Sequence, residues 1–138
     1  MSKKEVFKYI LASDVGMSVL KKVDTFKTVY SNKSFDYMSC KKPILMAIDG
    51  VSRKLVEEAG AGVYVEPENT QEYVRVVNGY LDNPALIKQQ GESGYQFAKK
   101  NFDRNVLANK YLAILEDRIL ALELPSMKKP SLKSTSHA

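Results

Sequence analysis

YSNKSFDYMSCKKPILMAI, residues Tyr30 to Ile48, runs from a helix start to a buried strand without interruption. Ser31 or Asn32 can accept an orphan N–H of a first turn through its side-chain oxygen, which predicts a helix over residues 31–40. Pro43 then opens PILMAI, an unbroken apolar run that reads as a strand covered on both faces. Toward the N-terminus, Asp14 to Leu20 (DVGMSVL) is a second strand-like apolar run. It follows a helix expected over Lys4 to Ala12, whose apolar face carries Val6, Tyr9 and Ile10. Lys21 to Tyr30 lacks periodicity and reads as a loop. Toward the C-terminus, Asp49-Gly50 is a turn. Ser52 to Ala59 is a helix with Leu55 and Val56 as core candidates, and Gly60 and Gly62 end it. Val63 to Val65 is a third short strand, closed by Glu66-Pro67.

Three helices complete the pattern. Thr70 caps one that runs to about Leu81, with Tyr73, Val76, Val77 and Tyr80 on one side. Pro84 opens the next, to about Lys100, in which Gly91 and Gly94 are weak points. Asp103 can cap the last, through about Leu122. Residues 123–138 are rich in Pro, Ser and Lys and read as a disordered polar tail. Alternation of helix and strand implies parallel pairing with right-handed crossovers, hence an α/β layered domain over residues 1–122. Three strands make a thin sheet against a mean of about five or six. Either further strands escape the reading or the chain is part of a larger sheet.

At 138 residues, 44% hydrophobic and 27% charged, the chain has ordinary globular composition and fits one domain. No apolar run reaches the roughly 20 residues of a membrane helix, and no signal-peptide core follows the basic N-terminus. The single cysteine, Cys40, excludes an internal disulfide. A soluble protein of a reducing compartment, the cytoplasm, is expected. The net charge of +5 owes much to Lys128, Lys129 and Lys133, and no concentrated basic stripe signals nucleic acid. It suits an anionic ligand or an anionic membrane surface.

Catalytic motifs are sparse. The only histidine, His137, lies in the tail, so a metal cluster or a Ser-His-Asp or Cys-His nucleophile is not expected. Gly60-Ala61-Gly62 reads as a helix-end turn and not a dinucleotide loop. The helix start near Asn32 offers free N–H groups and a positive dipole end, with the Lys33 cation in the same turn. Asp36, one turn on, could accept two hydrogen bonds from ribose hydroxyls. The same residues also fit a plain amphipathic helix, with Phe35 and Met38 in the core and Lys33 and Asp36 solvated. Spacing leaves both readings open.

SNKSFDYMSCKKPIL resembles the P-x-K-x-F-E-Y-M-A-x-G-K-P-V-I stretch of GT-B-fold, family-4-type glycosyltransferases. The likeness continues through Asp49-Gly50, Lys54 to Gly62, VYVEPENT, LDNPAL, Gly91 to Ala98 and FDRNVLANKYL, and covers roughly Glu5 to Leu115. It is nearest to the bacterial enzymes that build O-antigen, capsule and related surface polysaccharides. The resemblance implies a Rossmann-like three-layer partial domain with a short parallel sheet and a helical C-terminus. It corresponds to the C-terminal, donor-binding part of a transferase that moves a sugar from a nucleotide-diphosphate sugar, most often a UDP-sugar, to a saccharide or lipid-linked acceptor. Retention of configuration, hexosyl transfer, no cofactor and no obligate metal are implied with it.

By the same resemblance Asp36 stands where the family holds the donor ribose. Asn32, Lys33 and Ser34 stand at the helix tip beside the diphosphate, and Thr28 replaces a glutamate that contacts the sugar. No catalytic residue is assigned. Lys41 replaces a usual glycine. The first three strands of the domain and the whole acceptor domain have no counterpart in the chain, so little activity is expected of it alone, and in a full enzyme peripheral membrane contact is implied. The missing first strand would pair beside Asp14 to Leu20, which leaves an apolar edge for another copy of the chain or a rearranged segment. The rival classes are a non-enzymatic α/β interaction module and another GT-B enzyme such as a sugar epimerase.

Overall fold

The computed structural model describes residues 3–123. The expected tail beyond Glu123 lies outside the described residues. Residues up to Phe102 form one compact unit, and a second begins at Asp103. In the first, α1 (Lys3–Ala12) leads into β1 (Gly16–Val19), a 3-10 turn (Asp24–Thr28), α2 (Asn32–Ser39), β2 (Ile44–Ala47), α3 (Val51–Glu58), β3 (Gly62–Tyr64), α4 (Thr70–Asp82) and α5 (Pro84–Phe102). The three strands are parallel in the order β1-β2-β3, with Gly16 opposite Ile44 and Ile44 opposite Gly62. The α/β class and the parallel sheet follow the sequence reading; β1 and β2 are trimmed at their ends, and β3 begins one residue earlier than expected, at Gly62, which opens the strand and does not end the helix.

The central strand explains why PILMAI has no polar alternation. All four residues of β2 are buried, because both sheet faces are covered. Ile44 and Met46 meet Met38 of α2 and Leu55 and Val56 of α3 on one face. Leu45 meets Val76 and Tyr80 of α4 on the other. This is a three-layer arrangement. Helix α5 belongs to both faces: Leu86 and Ile87 pack with α4, while Phe97, Ala98 and Phe102 pack with α2 and α3. Between them it crosses the entry ends of β2 and β3, where the Ser93 hydroxyl donates to the Ala59 carbonyl at 2.6 Å. Helix α5 thereby covers the amino ends of β2 and β3.

Several local expectations are corrected. Gly91 and Gly94 do not weaken α5 but let it approach. A Cβ on Gly91 would run into the Lys41 backbone carbonyl, and one on Gly94 would lie 2.8 Å from the Ala61 Cβ. The helix therefore continues to Phe102. The N-cap of α4 is Asn69 and not Thr70, because the Asn69 side chain accepts the Glu72 amide at 3.3 Å. The loop expected over residues 21–30 contains the 3-10 turn, held by packing of Phe26 under the core.

The second unit is described by α6 (Arg104–Glu123). The Asp103 carboxylate accepts the Asn105 amide at 2.9 Å and the Val106 amide at 3.3 Å, which is the expected cap. Its apolar residues, among them Tyr111, Ile114 and Ile119, are exposed. No helix among the described residues is long and apolar enough to cross a membrane.

Candidate functional site

In a parallel α/β sheet, ligands collect at the carboxyl ends of the strands, where helix N-termini converge. Here that edge is built by three connections: residues 20–31 after β1, residues 48–50 after β2 and residues 65–69 after β3. The start of α2 stands in the first of them and is fixed by three serines. The Ser18 and Ser31 hydroxyls lie 2.7 Å apart. The Ser31 amide donates to the Ser52 hydroxyl at 3.0 Å, and that hydroxyl donates to the Val29 carbonyl at 3.0 Å. Tyr30 is held by edge-to-face contact with Phe35 and Phe102, at 6.1 and 6.4 Å between ring centroids.

Ser31 occupies the N-cap position of α2, yet its side chain makes no capping bond. Its hydroxyl is engaged with Ser18 instead. The diversion leaves the Lys33 amide, at N2, uncapped, while the Asn32 amide, at N1, lies outside the reach of a cap; neither has a partner among the described residues, and both side chains are exposed. Ser34 does not stand with them. Its amide donates to the Ser31 carbonyl at 3.0 Å, and its side chain is fully buried with an unpartnered hydroxyl oxygen. The anion-facing backbone is therefore narrower than the sequence implied. Asp36 is half-buried and lines, with Lys33 and Tyr37, a cleft of about 110 Å³ against Val6 and Ile10 of α1. Thr28 is exposed at the end of the 3-10 turn, and its hydroxyl turns back onto the Thr25 carbonyl at 3.3 Å.

A second set of charged residues lies at the same edge and was not singled out from sequence. Glu66, after β3, accepts from the Lys22 ammonium and from the Tyr64 hydroxyl at 2.9 Å. The hydrogen bond from Lys22, and then that from Tyr64, hold the Glu66 carboxyl below its usual range. Burial, with the Glu66 acceptor second, pushes the Tyr64 phenol up to about 12. Arg53 lies 4.1 Å from the Tyr64 ring centroid and donates to Glu57 at 2.8 Å. Lys27 pairs with Asp24 at 2.8 Å. Cations and carboxylates alternate along this rim, so the feature that favours an anion is the bare helix start with Lys33 beside it. Among the described residues, no three His, Cys, Asp or Glu side chains come together as a metal site would need.

A short parallel sheet with helices on both faces and a bare helix start after its first strand make this a Rossmann-like α/β layer. HepE from Anabaena, solved with UDP-glucose, superimposes with a TM-score of 0.67 at 19% identity, over 80% of this chain and 29% of that one. Sucrose-phosphate synthase from Thermosynechococcus elongatus superimposes with a TM-score of 0.71 at 16% identity, over 88% of this chain and 29% of that one. A second HepE structure, with UDP, gives the same values as the first. The chain thus spans under a third of the length of the solved structures whose fold it shares. No family model and no curated protein matches the sequence.

Proposed function

We propose that this chain supplies part of the donor side of a glycosyltransferase and receives the diphosphate of a nucleotide sugar at the start of α2. The observation that carries the reading is the uncapped start of α2: the Ser31 hydroxyl is diverted to Ser18, so the Lys33 amide stays bare beside that of Asn32 at the exit edge of a parallel sheet. The shared fold with proteins solved with UDP-glucose and UDP supports it. In the transfer, negative charge grows on the departing diphosphate. Two fixed amides, the positive end of α2 and the Lys33 ammonium offset that charge without reorganising. Asp36 accepts hydrogen bonds from the ribose and sets the nucleotide's register, and Thr28 faces the sugar.

The acceptor is a saccharide or a lipid-linked saccharide of surface-polysaccharide synthesis, and transfer is of a hexosyl group with retention. It takes place on the cytoplasmic side, with the membrane at the periphery. The chain alone binds donor without turnover, because the acceptor side is supplied from outside these residues. A titration of the full chain with UDP, followed by amide shifts, tests this. Shifts at Asn32 and Lys33 are expected. The Asp36→Ala variant should weaken binding about tenfold, as loss of a hydrogen bond to a charged group does. It should also stop distinguishing UDP from its 2′-deoxy form. An unmoved helix start at saturating UDP would leave the chain a non-enzymatic module.

A further inference from the structure

Ser18 is the only polar side chain of β1, and it is 2% exposed. Its hydroxyl lies 2.7 Å from that of Ser31 at the start of α2, and this is its one partner among the described residues. A buried hydroxyl left without a partner is costly, so Ser18 depends on Ser31. Ser31 has an alternative. Its backbone is extended, with φ −74° and ψ 113°, as an N-cap requires, so rotation of the side chain is what separates it from a capping bond. The Ser52 hydroxyl holds the Ser31 amide at 3.0 Å and so fixes the backbone, whichever way the side chain turns. Capping would gain one bond at an exposed helix start and strand a buried hydroxyl in the sheet. The second effect outweighs the first.

We propose that Ser18 is a positioning residue that acts from β1, through Ser31, to keep the start of α2 open. Its hydroxyl withholds the Ser31 side chain from the cap and so leaves the Lys33 amide for an anion. That this anion is the diphosphate of a nucleotide sugar rests on the donor role proposed for the chain; the hold of Ser18 on Ser31 does not. The Ser31 hydroxyl and a phosphate oxygen are rivals for one N–H, and a residue buried in the sheet decides between them. A side chain at position 18 that makes no hydrogen bond frees Ser31 to cap, and the donor must then displace that cap before it binds.

Exchange of the Lys33 amide in the nucleotide-free chain, with UDP titration of the same samples, tests the proposal. In the parent the amide should exchange fast. Ser18→Ala should slow it and weaken UDP binding about fivefold, the worth of a capping bond. A loss of packing alone would loosen the start of α2 and speed the exchange, so the sign separates positioning from a merely structural role. The double variant Ser18→Ala, Ser31→Ala has no hydroxyl to cap with and should recover the parent's exchange and affinity. If Ser18→Ala fails to fold, Ser18→Cys keeps the volume with a much weaker hydrogen-bonding group and should move both readouts the same way. Lys33 exchange that is unchanged or faster without the Ser18 hydroxyl, or a double variant that stays slow and weak, overturns the proposal even where the parent binds UDP. Exchange that slows in Ser18→Ala and recovers in the double variant, in a chain that never binds UDP, upholds the hold of Ser18 on α2 and overturns the donor role instead.

Discussion

Ser31 sits where a helix cap belongs, yet its hydroxyl bonds Ser18 and its backbone amide is held by Ser52. The Ser52 hydroxyl is fully buried, accepts the Ser31 amide and donates to the Val29 carbonyl, so it fixes the path of the chain just before α2. Ser52→Ala would orphan both backbone groups. A loss of about 1–3 kcal/mol in urea unfolding is expected, the range for buried polar groups left unsatisfied. Exchange at the Ser31 amide should rise together with it. Unchanged exchange at Ser31 would show that the connection is held by the aromatic cluster alone. None of this was readable from sequence, for Ser52 works through partners 21 and 23 residues away and Ser18 through one 13 residues away. The helix start at Asn32 was legible because capping chemistry is local. Which of its amides stay bare was not, because that depends on where a neighbouring strand places a hydroxyl.

At the scale of elements, the strands were legible because each is an apolar run bounded by Gly, Pro or charge, and a sheet covered on both faces needs little more. The helix ends depended on finer signals. Asn69 and Thr70 are both capping residues, and Glu72, three positions after Asn69, distinguishes them. The glycines of α5 misled because propensity counts their cost while the benefit lies in a contact with Lys41, remote in sequence. That contrast gives a prediction. Gly79 in α4 has open space where a Cβ would go, so Gly79→Ala should stabilise by about 0.5–1 kcal/mol through helix propensity alone. Gly91→Ala gains the same propensity but drives a Cβ into the Lys41 carbonyl. It should destabilise by about 1–3 kcal/mol, as overpacking does. Urea midpoints that move in the same direction for both variants would refute the packing role of Gly91.

Across the whole molecule, the titratable groups with shifted pKa values bound the pH range of stability unequally. On the acid side Asp24, Glu66 and Glu92 lie below their usual values, chiefly through hydrogen bonds from Lys27, Lys22 and Lys41. Their contribution is present above the unfolded carboxyl pKa and is lost as pH falls through the lower folded one. These are solvent-facing pairs, so this arm should be shallow and flattened further by salt. The alkaline arm rests on tyrosines packed against the sheet. Burial pushes Tyr80 up to about 12, and its hydroxyl donates to Gln90 at 2.7 Å, tying α4 to α5. An acid whose folded pKa is raised contributes fully below the unfolded value, near 10, and its contribution is lost as pH climbs toward the folded value. For Tyr80 that loss is about 2 kcal/mol by pH 12. Tyr80→Phe gives up the Gln90 hydrogen bond, so at pH 7 it should be less stable than the parent by about 1 kcal/mol. Having no phenol to ionise, it should lose less above pH 10. The two stability curves, measured by urea unfolding with tyrosinate absorbance followed in parallel, should therefore converge and cross in strong alkali. Curves that stay parallel from pH 7 upward would mean that Tyr80 ionises as freely in the folded chain as in the unfolded one, and that the α4–α5 junction does not exclude water.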